Sequence, residues 1–165
     1  MAALRQRIAV GLLTASVAGL AFITSGERRE YTAYADPALG WKVPTICDGH
    51  TGPDVYRGQR ANDAMCDAWR AKDAEVSIKA IRRCSGDAKL TQNEFDALVS
   101  LVHNIGPTAY CGSTMSRLIR EGRLDEVPGQ FDRWVYSGGK KLRGLVNRRQ
   151  SERRLWEVGD YGPVR

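Results

Sequence analysis

IAVGLLTASVAGLAFITSGERREYTAYADPALGWKVPTICDGHTG, Ile8 to Gly52, is the stretch on which the fold turns. Ile8 to Thr24 is 17 residues without a charge, the lower limit for a helix that spans a bilayer. Arg5 and Arg7 precede it, so the positive-inside tendency keeps the N-terminus cytoplasmic and sends the rest across. Nine of the 17 residues are Gly, Ala, Ser or Thr, so such a helix inserts with a small free-energy margin. Two readings stand. One is a cleaved secretory signal, with a basic start, an apolar centre and a small-residue site. An A-x-A pattern occurs at Ala33-Tyr34-Ala35, well past the apolar run and behind the charged Glu27-Arg28-Arg29-Glu30. The other is an uncleaved anchor.

Beyond this run about 140 residues remain, enough for one compact domain with a real core. Hydrophobic residues make up 42% and charged residues 27%, an ordinary globular balance, without repeats or low-complexity tracts. The net charge of +6 favours polyanions, whether nucleic acid, anionic lipid or envelope polymer. No nucleic-acid motif accompanies it, so nucleic acid is not an expected partner. The four cysteines, Cys47, Cys66, Cys84 and Cys111, form no C-x-x-C pair, and there are two histidines. No clustered zinc ligands are present, so neither a metal nor a cofactor is expected. In an exported chain two disulfides are the reading, and the count allows three connectivities.

Directly after the apolar run come Glu27, Asp36 and Thr45. Asp36-Pro37 and Leu39-Gly40 read as turns and Val43 to Cys47 as a short strand. The expectation is a β-hairpin presenting Asp36 and Thr45 beside the end of a helix that carries Glu27. Glycoside hydrolysis needs this kind of set: a carboxylic acid to protonate the leaving oxygen and a second carboxylate to stabilise charge or activate water. A burial difference pushes their pKa values apart, and a hydroxyl such as that of Thr45 can hold the attacking water.

The remainder reads as helical. Asn62 to Arg83 forms a helix capped by Asn62 or Asp63, with Met65, Trp69, Val76 and Ile78 or Ala80 among its apolar positions. Thr91-Gln92-Asn93-Glu94 is a capping box before Phe95, Leu98, Val99, Val102 and Ile105. This buried helix ends at Gly106-Pro107. Further helices run from near Ser113 to Gly122, over Gln130 to Tyr136 and over Leu145 to Trp156. His50 is read as a structural hairpin histidine bonded to a neighbour, with contact to the substrate as the other reading. His103 is assigned to packing, and Trp134 and Tyr136 to the core, with stacking on sugar as the other reading. Lys140 to Arg154 carries seven basic residues and one Glu, a pattern that reads as a solvated helix face.

Together Glu27, YADPALGWKVPTICDGHTG (34–52), LTQNEFDALVSLVHNIG (90–106), CGSTMSRLI (111–119) and RWVYSGGKKLRGLVNRRQSER (133–153) resemble the phage lysozyme family, the endolysin muramidases of glycoside hydrolase family 24. The pieces cover most of Glu27 to Arg154 in the family's order. The PALGWKVP loop between Asp36 and Thr45 is longer than in many relatives.

The resemblance implies an α+β, mainly helical fold: a small α/β hairpin lobe, a larger helical lobe with the cleft between, and an N-terminal signal-anchor helix. It implies a lysozyme-type glycoside hydrolase acting on the β-1,4 bond between N-acetylmuramic acid and N-acetylglucosamine in peptidoglycan, for host-cell lysis. Glu27 would be the general acid, Asp36 the partner carboxylate and Thr45 the residue that positions water. The expected disulfides are Cys84–Cys111, at two places where related endolysins often carry cysteines, and Cys47–Cys66. Residues 1–26 would be a signal-anchor-release segment and 27–165 the muramidase domain. The enzyme, a monomer, would be exported uncleaved and held inactive in the host inner membrane through residues 8–24. Its N-terminus would be cytoplasmic and its catalytic domain periplasmic until release. Cleavage at Ala35 would remove Glu27.

Three other readings make contrasting predictions. A secreted lysozyme would lose its N-terminal segment. A lytic transglycosylase would yield an anhydro sugar. A non-catalytic wall-binding protein would survive Glu27→Gln. A zinc amidase lacks its ligand cluster, and a holin would want more than one span.

Overall fold

The structure is a computed structural model and describes residues 6–26, 28–37 and 39–164. The chain forms two compact units, residues 26–73 and residues 1–25 with 74–165. The smaller unit holds a three-stranded antiparallel sheet. Its strands are β2 (Glu30–Asp36), β3 (Gly40–Cys47) and β4 (His50–Thr51), in the order β2-β3-β4. The helix α2 (Asp63–Ser85) starts in this unit, and the Asn62 side-chain oxygen accepts the Met65 N–H at its start, 3.0 Å away. A small core of Ala33, Ile46, Cys47, Val55 and Cys66 is stapled by the Cys47–Cys66 disulfide.

The larger unit is helical. Its core element is α3 (Gln92–Ile105), whose residues Asn93 to Val102 are all buried. The Thr91 hydroxyl accepts the Glu94 N–H, and the Glu94 carboxylate accepts the Thr91 N–H at 2.8 Å. This is the capping box expected from the sequence. Gly106 at φ 86° ends the helix, and Pro107 starts α4 (Pro107–Cys111). Ser113 caps α5 (Thr114–Arg120), and the second expected disulfide, Cys84–Cys111, is formed. After α6 (Pro128–Phe131), the last helix is α7 (Arg143–Val158), closed by left-handed Gly159.

The uncharged N-terminal run is not one helix. Ile8–Ala9 (β1) pairs antiparallel with Lys89–Leu90 (β5), Val10–Leu12 is a 3-10 turn, and only Val17–Ile23 (α1) is α-helical. Among the described residues no helix is long and apolar enough to cross a membrane. The physical reason lies in α3. Asp96 is fully buried, and its carboxylate accepts the Ser16 N–H at 3.0 Å and the Ser16 hydroxyl at 2.6 Å. It also accepts Tyr161 O–H at 2.7 Å and Gln92 Nε2 at 3.0 Å. Ser16 in turn caps α1 by accepting the Gly19 N–H. The carboxylate therefore ends the apolar run's helix at Ser16, at the end where the helix dipole favours a negative charge. Arg82 donates to the Leu13 carbonyl, Gln92 to that of Thr14 and Arg148 to that of Ile23. These bonds satisfy backbone groups that the run's own helix leaves open. Val10, Leu13, Phe22 and Ile23 enter the main core.

Several local expectations are corrected. Gln130 to Tyr136 is not a helix: it stops at Phe131, and Tyr136–Ser137 (β6) pairs with Lys140–Lys141 (β7). Gly138 and Gly139, both at positive φ, fit the two-residue hairpin turn that demands it, and this closes the hairpin and leaves Tyr136 exposed. His103 is exposed, not packed. Arg149, within the supposedly solvated basic run, is completely buried against Glu152. Met65 and Val76 of α2 also face solvent, whereas Ile78 and Ala80 are core.

Candidate active site

Within the smaller unit, β2 and β3 bring two of the three expected site residues onto neighbouring strands. Tyr34 pairs with Thr45 and Ala35 with Pro44. Asp36, the last residue of β2, pairs with Gly40 at the head of β3. The Asp36 carboxylate accepts the Leu39 N–H at 2.8 Å, a side-chain-closed turn of the kind aspartate favours. Thr45 is buried between its partners Tyr34 and Thr51, and its hydroxyl donates to the Val43 carbonyl. Glu27 lies outside the described residues, and the helix expected to carry it, α1, ends short of it at Ile23, with residues 24–26 in a turn. Its neighbour two positions on, Arg29, is described and firmly held.

Arg29 is a hub that the sequence reading missed. It makes a two-pronged contact with Asp48, at 2.9 and 2.7 Å, and also reaches Asp63 at 2.8 Å and Asp67 at 2.9 Å. Asp48 lies in the β3–β4 turn, and Asp63 and Asp67 sit one helical turn apart on α2. Arg29 thus pins the start of β2, two residues after Glu27, to both neighbouring elements. A signal was available: Asp63 and Asp67 at i and i+4 share one helix face, and Asp48-Gly49 marks a turn. Tyr31 O–H also donates to Asp63, and Arg70 pairs with Asp67.

The cluster makes acid stability testable. Bonds from Tyr31 and Arg29 hold the Asp63 carboxyl below its usual range, and the Arg29 bond does the same for Asp67. Because both values are depressed on folding, the unfolded chain takes up protons first as pH falls. Their contribution is complete above the ordinary aspartate value of about 3.9 and is lost as pH drops below it through the folded values. Arg29→Ala should therefore lower the melting temperature at neutral pH and flatten its decline on acidification. Equal slopes in thermal melts of variant and wild type between neutral and acid pH would contradict this.

His50 fits the structural reading. It is buried, with Nδ1 2.8 Å from Asp73 Oδ2, and its ring stacks on Trp69 at 4.9 Å between centroids. Trp69 Nε1 donates to Asp54, so histidine, tryptophan and two aspartates tie β4 to the first half of α2. Among the described residues no group of three or more His, Cys, Asp or Glu is placed to hold a metal ion.

Comparison with known proteins gives a consistent picture. Residues 25–152 match the Phage lysozyme family. The chain is 30% identical over 159 residues to the SAR-endolysin of Enterobacteria phage P21, covering 92% of this chain and 94% of that protein. It is 36% identical over 145 residues to the endolysin of Bacillus phage PZA, covering 87% of this chain and 55% of the relative. The chain thus spans about half the length of the PZA protein. Among solved structures, the endolysin from Escherichia coli O157:H7 phage FAHEc1 superposes with a TM-score of 0.78. It is 31% identical, with coverage of 91% of this chain and 97% of that one. The active form of P1 phage endolysin Lyz gives 0.76 at 26% identity over 90% and 88% of the two chains. The secreted inactive form gives 0.56 at 21% identity over 88% and 97%, a likeness of fold alone.

Proposed function

The chain belongs to the phage lysozyme family, and we propose that it is an endolysin that hydrolyses host peptidoglycan. The bond cut is the β-1,4 linkage between N-acetylmuramic acid and N-acetylglucosamine. Glu27 donates a proton to the glycosidic oxygen, and Asp36 stabilises the developing positive charge or activates water. Thr45 orients that water. The observation that carries this reading is the register that sets Asp36 and Thr45 on adjacent strands, directly after Glu27, within the matched region. Arg29 is a positioning residue that anchors the chain beside Glu27.

The regulatory part of the proposal concerns residues 1–26, a signal-anchor-release segment ahead of the muramidase domain 27–165. The monomeric enzyme crosses the host inner membrane uncleaved, with its N-terminus cytoplasmic, and is tethered and inactive through residues 8–24. Release places it in the periplasm. Two observations support this. The P21 relative carries the name SAR-endolysin. The run is also of membrane length and without charge, yet it is here packed into the helical core, with Phe22 and Ile23 buried, so a bilayer would be a second and incompatible home. A segment cannot hold both positions, so its location can act as a switch.

The test is the intact mass of the periplasmic protein together with wall lysis before and after membrane depolarisation. A full-length mass, lysis only after depolarisation, and products with N-acetylmuramic acid reducing ends are expected. A mass starting at or before Glu27 with constitutive lysis would mean a cleaved signal. Anhydro products would mean a transglycosylase.

A further inference from the structure

β3 carries three residues that β2 does not match. Ala35 pairs with Pro44, yet the next residue, Asp36, pairs with Gly40. Trp41, Lys42 and Val43 therefore stand outside the ladder as a bulge. The chain enters it through Gly40 at φ +62°, a left-handed conformation that glycine adopts without strain. Bulges bend a strand and re-aim its side chains, and they recur beside active sites. The side chain presented here is an indole, one residue past the partner of Asp36.

Trp41 is 41% exposed. The guanidinium carbon of Arg57 lies 4.9 Å from its ring centroid. Arg57 is itself exposed, and among the described residues no carboxylate lies within ion-pair distance of it. Elsewhere in this unit Arg29 contacts three aspartates, and Arg70 contacts Asp67 and, at 4.0 Å, Asp48. The adjacent Tyr56 is also exposed. A surface cation–π contact is weak, and it does not account for leaving a large apolar ring in water beside an unneutralised cation.

The two groups have complementary chemistry. An indole face packs against the C–H face of a pyranose ring, and a guanidinium grips a carboxylate through two parallel hydrogen bonds. A glycan whose sugars carry carboxylate-bearing peptides offers both within one ligand. We propose that Trp41 and Arg57 form a substrate-binding platform next to Asp36. Trp41 stacks on a pyranose of the wall glycan and Arg57 holds a carboxylate of its peptide stem. The proposal rests on the peptidoglycan reading above and adds to it a binding site outside the three proposed catalytic residues.

Calorimetric titration with two probes tests it, using the full chain: a peptide-free N-acetylglucosamine tetramer and a peptide-bearing muropeptide oligomer. Trp41→Ala should weaken both by about tenfold and raise KM on purified walls by a similar factor, with kcat within about twofold. Trp41→Phe should restore most of the binding. Arg57→Ala should weaken only the muropeptide, and Arg57→Lys should recover part of that loss, since lysine keeps charge without the fork. Unchanged affinity of Trp41→Ala and Arg57→Ala for both probes overturns the platform. If Glu27→Gln abolishes lysis at the same time, the hydrolase reading stands without it. If Glu27→Gln lyses walls normally, the assignment of Glu27 as general acid falls. The platform is then judged by the titrations alone, kept by the tenfold loss and overturned by its absence.

Discussion

Glu27→Gln should lower the rate of wall lysis by about two to four orders of magnitude, the usual contribution of a positioned general acid. Glutamine keeps the shape and hydrogen-bonding size of glutamate but has no proton to give to a leaving oxygen. The variant should accordingly keep the wild-type circular dichroism spectrum and both disulfides. Asp36→Asn is the companion change. Asparagine retains an oxygen to accept the Leu39 N–H that aspartate accepts now, so the turn should survive while the charge is lost. A large drop in lysis for both variants, with folding intact, supports two separate carboxylate roles. Full lysis by Glu27→Gln would exclude the assignment of Glu27 as the general acid.

Much of the helical unit was legible because its signals are local. Thr91 and Glu94 cap each other within one turn, Ser113 caps α5, and Gly106-Pro107 can only end a helix. The β-hairpin was legible from the turns at Asp36-Pro37 and Leu39-Gly40 and the strand read at Val43 to Cys47, which begins earlier, at Gly40. What escaped the sequence was set by what each segment pairs with, nearby or far along the chain. Gln130 to Tyr136 has a helical pattern, but the glycine pair that follows closes a hairpin instead. Arg149 looks like one more surface cation, yet it is buried because Glu152 and Asn104 receive it, the latter from another helix. The bulge at Trp41 is visible only in the strand register. The N-terminal run shows the limit most clearly. Its lack of charge suits a bilayer and a protein core equally. Ser16 and Gly19, which read as a weakening of a membrane helix, are matched to Asp96, 80 residues from Ser16.

That match yields the second large expected effect. Asp96→Ala should destabilise the fold by roughly 3–5 kcal/mol, because it strips a buried acceptor from several part-buried donors at once. Ser16 would lose partners for both its N–H and its hydroxyl, and Tyr161 would lose the partner for its O–H. For a chain of this size such a loss lowers the melting temperature by roughly 10 °C. It should also free Leu13 to Ile23 for proteolysis well below that temperature, since α1 packs on α3 through this contact. Gly19→Ala approaches the same interface from the other side. A Cβ at position 19 would lie 2.4–2.8 Å from the Asp96 carboxyl atoms, and the carboxylate cannot retreat without breaking its bonds to Ser16 and Tyr161. The double variant Gly19→Ala/Asp96→Ala should lose less than the sum of the single losses, because removing the carboxylate makes room for the methyl group. Additive losses would mean that Gly19 is small for another reason. An unchanged melting temperature in Asp96→Ala would mean that α1 is held by its apolar side chains alone, with Phe22 and Ile23 sufficient.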